Sequence, residues 1–82
     1  MGYHITKIKK GVLGESSKLL EEVLELQDAE QQGAQIMLLC ELSDIYGALD
    51  HYLRRNYPAF NMHDLATMAM LNERAFNDGE KR

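Results

Sequence analysis

Apolar residues recur every three or four positions in three separate stretches, a period that predicts helices. In the first, beginning at about Glu15, Leu20, Val23, Leu24 and Gln27 form one seam, and Leu19 and Leu26 widen it. Glu21, Glu22, Glu25 and Asp28 occupy neighbouring angles. Good helix formers run up to Gly33, which can supply the left-handed residue that ends a helix. The second stretch spans Gln35 to about Arg55, with Leu38, Leu42, Ile45, Leu49 and Leu53 in register and Leu39, Tyr46 and Tyr52 broadening the surface. Gly47 sits in its middle at a cost of about 1 kcal/mol relative to alanine, and a close helix approach would explain it. Pro58 stops the pattern. Asn61 is then a candidate N-cap for a third helix, with Asp64 in its first turn and Leu65, Met68, Ala69 and Asn72 at helical spacing. Met62, Met70, Leu71 and Phe76 add apolar surface.

Outside these stretches lie a basic-apolar lead, Met1 to Gly11, anchored by Ile5 and Ile8, and a polar end from Gly79 that is expected to fray. Gly11 and Gly14 interrupt the pattern before the first helix. The expected fold is therefore all-α: one domain over 1–82, a compact bundle in which the first two helices form an antiparallel hairpin and the third packs on it.

Size changes this picture. A chain of 82 residues buries only about 60–65% of its unfolded surface, and so small a core supplies roughly 3–5 kcal/mol. Cys40 is the single cysteine, so no internal disulfide can help, and in an apolar stretch it reads as a small buried hydrophobe. Self-association, as a homodimer or homotetramer, is the expected support, with a bound metal as a second source. A hydrophobic share of 45% is ordinary for a globular protein. The net charge of -4 argues against a protein that coats nucleic acid, so no stable nucleic acid complex is expected. Neither a secretory h-region nor an apolar stretch of membrane-spanning length is visible. A soluble, cytoplasmic protein without membrane association is the expectation.

The chemistry lies in the carboxylates. Glu22 and Glu25 are three residues apart, as are Glu41 and Asp44, and on helices each pair falls on one side. Across a hairpin the pairs would face each other and repel unless protons or a cation neutralised them. Oxygen-only ligands suit a hard ion such as Mg²⁺, and Glu21 could orient a ligand or a water. Solvated helix faces also carry acids without any function. However, the first helix holds six acids with Lys18 as its one basic residue, so salt-bridge lacing does not account for them. The second pair lies inside the apolar run Ile36 to Leu49, where an unpaired acid is costly.

Glu21-Glu22-Val23-Leu24-Glu25 followed by Glu41-Leu42-Ser43-Asp44 resembles the split E-E-x-x-E and E-x-x-D signature of the MazG-like all-α nucleoside triphosphate pyrophosphohydrolase superfamily. The resemblance covers Gly14 to Leu53, about half the chain. It implies cleavage between the α and β phosphates of a nucleoside triphosphate, giving monophosphate and pyrophosphate. Mg²⁺ is the implied cofactor, with Mn²⁺ as an alternative. Carried onto matching positions, it makes Glu22, Glu25, Glu41 and Asp44 metal ligands and Glu21 their assistant, these five forming the catalytic set. It also implies dimers or tetramers whose sites can draw on more than one chain.

Positive partners for a phosphate tail are less clear. Lys18, one turn before Glu22, is a candidate phosphate contact, but it also suits an ordinary ion pair with Glu21 or Glu22. Arg54 and Arg55 lie about three turns, roughly 15 Å, from Asp44, so they would act best from another chain. Arg74 and Arg82 are C-terminal candidates. His4, His51 and His63 form no zinc spacing, and Gly11-x-x-Gly14 is too short for a P-loop. Tyr46, Tyr52, Tyr57 and Phe60 could stack on a base, but core packing or an oligomer seam is the preferred assignment for each. The alternative to an enzyme is a noncatalytic helical oligomerisation or protein-interaction module, with or without bound metal.

Overall fold

The computed structural model describes residues 4, 5 and 7–77. Among these, three helices form and no strand does: α1 (Ser16–Gln32), α2 (Gln35–Asn56) and α3 (Met62–Asn77). The expected frayed end from Gly79, with Arg82, lies outside the described residues.

Local chemistry sets the boundaries. Before α1, Gly14 takes a left-handed φ of 91°, and Val12 donates its N–H to Ser17 Oγ at 3.0 Å. α1 ends where Gly33 adopts φ 70° and gives its N–H to the carbonyls of Ala29 and Glu30, the left-handed stop that glycine makes without strain. Tyr57 caps α2 through Leu53 O just ahead of Pro58. At the start of α3, Asp64 donates its N–H to Asn61 Oδ1 at 3.0 Å, and Asn61 donates its N–H to Asp64 Oδ2 at 2.9 Å. That reciprocal exchange satisfies two donors that a helix start leaves open.

α1 and α2 supply the main helix-on-helix packing. Asn56 Nδ2 donates to Gly14 O at 3.0 Å and to Tyr52 O at 2.9 Å, which brings the end of α2 back to the start of α1. A side chain at position 14 would meet Arg55 Cδ at 2.6 Å, so Gly14 also admits this approach. The third helix packs lightly. Its start faces the end of α2 across a cavity of about 350 Å³ lined by Leu49, Leu53, Tyr57, Phe60, Leu65 and Met68. The radius of gyration is 15.1 Å, against about 12 Å for a chain of this length closed round one core.

The interior departs from the leucine seam expected of α1. The face of α1 turned inward carries Glu21, Glu22, Asp28 and Ala29, and α2 answers with Glu41, Ala48 and Leu53. Only Ala29, Ala48 and Leu53 are buried apolar residues among those described. Leu20 is 59% exposed, Ile36 80% and Leu39 67%. Periodicity marks two stripes on each helix, one acidic and one apolar, and in the single chain the acidic stripes meet. Two further expectations fail for the same reason. Cys40 is exposed, because it lies outside the face that meets α1. Gly47 has open space where a Cβ would be, since the close approach falls at the neighbouring Ala48.

Candidate metal centre

Spacings of three residues on facing helices bring four carboxylates together. Glu22 and Glu25 project from α1, Glu41 and Asp44 from α2, and one oxygen of each lies within 4.8 Å of the others. Glu22 and Glu41 are buried, Glu25 is half-buried and Asp44 is exposed, so the cluster is a cup that opens to solvent beside Asp44. At its floor Glu41 has no exposed surface. Its Oε1 has no hydrogen-bond donor, and neither does Glu22 Oε2, while Glu41 Oε2 has a ring nitrogen of His4 beside it. Buried carboxylate oxygens normally find donors, and leaving them without any costs more than most single contacts contribute. Orphaned oxygens aimed into a four-acid cup are what a hard divalent cation would satisfy, so these residues fit such an ion.

The titration behaviour has the same cause. Burial holds the Glu22, Glu25 and Glu41 carboxyls above their ordinary range. Neighbouring acids push the same way: Glu25 and Asp44 on Glu22, Glu41 and Glu21 on Glu25, Asp44 and Glu22 on Glu41. Lys18 opposes this at Glu22, with Nζ 3.1 Å from Oε1. The cup therefore favours protons, or a positive ion in their place.

Glu21 stands apart from the four. Its buried carboxylate accepts the Gly11 N–H at 2.8 Å and lies 3.2 Å from Lys18 Nζ and 3.6 Å from Lys10 Nζ. Burial alone would raise its pKa, but the Gly11 N–H and the two lysines bring it below the ordinary value. Glu21 thus fastens the lead to α1. A Cβ at Gly11 would collide with the Ser17 carbonyl, so glycine is required at this contact and does more than interrupt a helix.

Two residues outside the sequence-based set join the centre. Asp28, 2% exposed, accepts His4 Nδ1 at 2.9 Å, the Ile5 N–H at 3.1 Å and Gln32 Nε2 at 2.9 Å, all on Oδ2. His4 Nε2 then reaches to 3.0 Å from Glu41 Oε2. Burial alone would lower the His4 pKa, but the Asp28 hydrogen bond and the charges of Glu41 and Glu25 raise it overall. Asp28 lies one turn beyond Glu25, so helical spacing could have included it. His4 comes from a lead with no periodicity, and no signal in the sequence pointed to it.

Among the described lysines and arginines, Lys18 alone forms an ion pair with one of the four carboxylates, Glu22. Arg54 pairs with Asp50 at 3.1 Å, and Arg55 lies 3.9 Å from Glu15 and donates to Leu13 O at 3.4 Å. Arg74 is exposed in the last turn of α3. Among the described residues no ion pair joins any of these three arginines to the four carboxylates. No family model, curated protein or solved structure matches the chain.

Proposed function

We propose that the chain is a MazG-like nucleoside triphosphate pyrophosphohydrolase that uses Mg²⁺, or Mn²⁺, to give monophosphate and pyrophosphate. The observation that carries this reading is the four-carboxylate cup, in which Glu41 Oε1 and Glu22 Oε2 are buried without hydrogen-bond donors. Glu22, Glu25, Glu41 and Asp44 would hold the cation. When bound, that ion would neutralise phosphate charge and make a coordinated water acidic enough to attack phosphorus.

The chain's own residues then have separable tasks. Glu22, with one oxygen held by Lys18 and the other without a donor, can position a water and accept its proton where that second oxygen is not taken by the ion. Lys18 is kept protonated by Glu22 and Glu21 against the opposing effect of burial, and its ammonium can meet a phosphate oxygen at the rim. Glu21 positions Lys18 and the lead. Asp44, at the open side, faces the direction from which a polyphosphate would enter. Arg54, Arg55 and Arg74 would serve substrate only through another chain, and a homodimer or homotetramer is part of this reading. The exposed Ile36, Leu39 and Leu42 favour such a partner. They are also the observation behind the second reading, a helical interaction module in which the acids hold a cation without turnover.

Among the described residues no helix is long and apolar enough to cross a membrane. A panel of canonical and modified nucleoside triphosphates with Mg²⁺ or Mn²⁺, with products identified, tests the assignment. Monophosphate and pyrophosphate are expected, and turnover should collapse in Glu41→Gln with the helical content retained. Release of orthophosphate and diphosphate would contradict the bond assignment. Cation binding without turnover across the panel would favour the interaction module.

A further inference from the structure

Taking the cation centre as the premise, we propose that His4 Nε2 is itself a ligand there, joining Glu25 and Glu41 around a divalent transition-metal ion. His4, Glu25 and Glu41 each offer one ligand atom within 4.8 Å of the other two. His4 Nε2 and Glu41 Oε2 are 3.0 Å apart. Two ligands at right angles, each about 2.1 Å from a metal, are about 3.0 Å apart, so the pair already has the spacing of neighbouring coordination positions. Glu41 is fully buried and its other oxygen, Oε1, has no hydrogen-bond donor, so the site does not rest on clustered acids alone.

The second half of the device is Asp28. A ligating histidine needs its other ring nitrogen protonated and held, and a carboxylate is the usual holder. Asp28 Oδ2 lies 2.9 Å from His4 Nδ1 and is itself fixed by the Ile5 N–H and by Gln32 Nε2. A carboxylate can only accept here, so this contact places a proton on Nδ1, and in the neutral ring it is Nε2, 3.0 Å from Glu41 Oε2, that is the ligating nitrogen. The lead carrying His4 is tied down again at Gly11, through Glu21. The imidazole is thus delivered by a segment attached at two points and does not merely rest on the helices. Imidazole added to carboxylates shifts preference from Mg²⁺ toward borderline ions such as Fe²⁺, Co²⁺ or Zn²⁺, and Mn²⁺, a harder ion, still accepts one imidazole among oxygens more readily than Mg²⁺ does.

Pulsed electron paramagnetic resonance on the full chain loaded with Mn²⁺ reads this directly. The wild-type spectrum should carry nitrogen modulation that changes when histidine is ¹⁵N-labelled. The modulation should persist in His51→Gln/His63→Gln, whose substituted side chains are exposed, and vanish in His4→Gln. Calorimetric titration of His4→Gln should show Mn²⁺ affinity reduced by at least the roughly 10–100-fold that loss of an outer-shell partner costs, and Mg²⁺ affinity reduced much less. Should His4→Gln fail to fold, the labelled wild type and the double variant still decide. Mn²⁺ bound without nitrogen modulation would mean an oxygen-only centre with His4 merely paired to Glu41. That result would overturn the ligand role and leave the cation centre standing. Modulation surviving in His4→Gln would overturn it as well. Failure of both Mn²⁺ and Mg²⁺ to bind the wild type would overturn the centre itself.

Discussion

Replacing Glu41 by glutamine should stabilise the metal-free protein while removing its response to metal. The substitution keeps the volume of a side chain with no exposed surface and deletes its charge. Two unit charges at the 4.8 Å limit of the cluster repel by about 3.5 kcal/mol at an effective dielectric of 20. Burial adds to the cost of ionising Glu41, and His4 recovers part of it. If a third to a half of one such repulsion survives these offsets, the relief is about 1–2 kcal/mol. The new amide can also donate to neighbouring carboxylates. In a domain of this size each kcal/mol moves Tm by about 4–8 °C. Thermal melts at pH 7.5 and fixed protein concentration, in EDTA, should therefore place Glu41→Gln about 5–15 °C above wild type. With Mn²⁺ at a hundred times its Kd the wild type should gain about 2.7 kcal/mol, and the variant little. A lower Tm for the variant in EDTA would refute this reasoning, because Glu41 would then be a net stabiliser of the empty fold.

Stability without metal should fall as pH rises. Glu22, Glu25 and Glu41 have folded pKa values above 4.5 and His4 above 6.5, so the folded state holds more protons than the unfolded chain. The His4 contribution is complete below 6.5 and lost through its folded value; the three carboxyls impose their penalty from 4.5 upward. Glu21 is shifted down and acts oppositely, its contribution full above 4.5 and lost only as pH falls through its folded value. Tm in EDTA should decline from pH 5.5 to 8 and flatten with Mn²⁺; a rise over that window would contradict the assignment. Gly47→Ala should stabilise by about 1 kcal/mol, because nothing occupies the Cβ position; a loss of stability in chemical denaturation would show that a partner surface fills it. Light scattering across a concentration series should show a homo-oligomer that Leu39→Glu dissociates, while a wild type monomeric at high micromolar concentration would defeat this.

Much of the local architecture was legible because local chemistry decides it. Gly33 ends α1 for want of a Cβ, and the Asn61–Asp64 exchange starts α3 with side chains three residues apart. The convergence of Glu22, Glu25, Glu41 and Asp44 was also readable, since equal spacing on two facing helices is a matter of period. What period cannot give is which stripe of a two-striped helix faces inward. Leu20 and Val23 lie one position from Glu21 and Glu22, about 100° round the helix, and either stripe makes an amphipathic pattern. His4 was invisible for another reason: a lead held by Asp28 and Glu21 follows the acids it binds and has no period of its own.

These two failures have a common physical origin. A helix pair that buries Glu41 and leaves Leu39 outside is a poor solution for a chain considered alone, since burying charge is costly and hiding leucine is favourable. It becomes reasonable if the acidic interior is completed by a cation and the apolar exterior by another subunit. Periodicity expects one interior per helix, whereas α1 and α2 each carry two surfaces, one acidic and buried, one apolar and exposed. On this view the metal and the oligomer contribute to the same fold. Wild type stripped of metal and Leu39→Glu supplied with it should each retain partial stability, and Leu39→Glu without metal should lose most helical content by circular dichroism. Persistence of a cooperative melt in that last sample would mean that the three helices stand without either support.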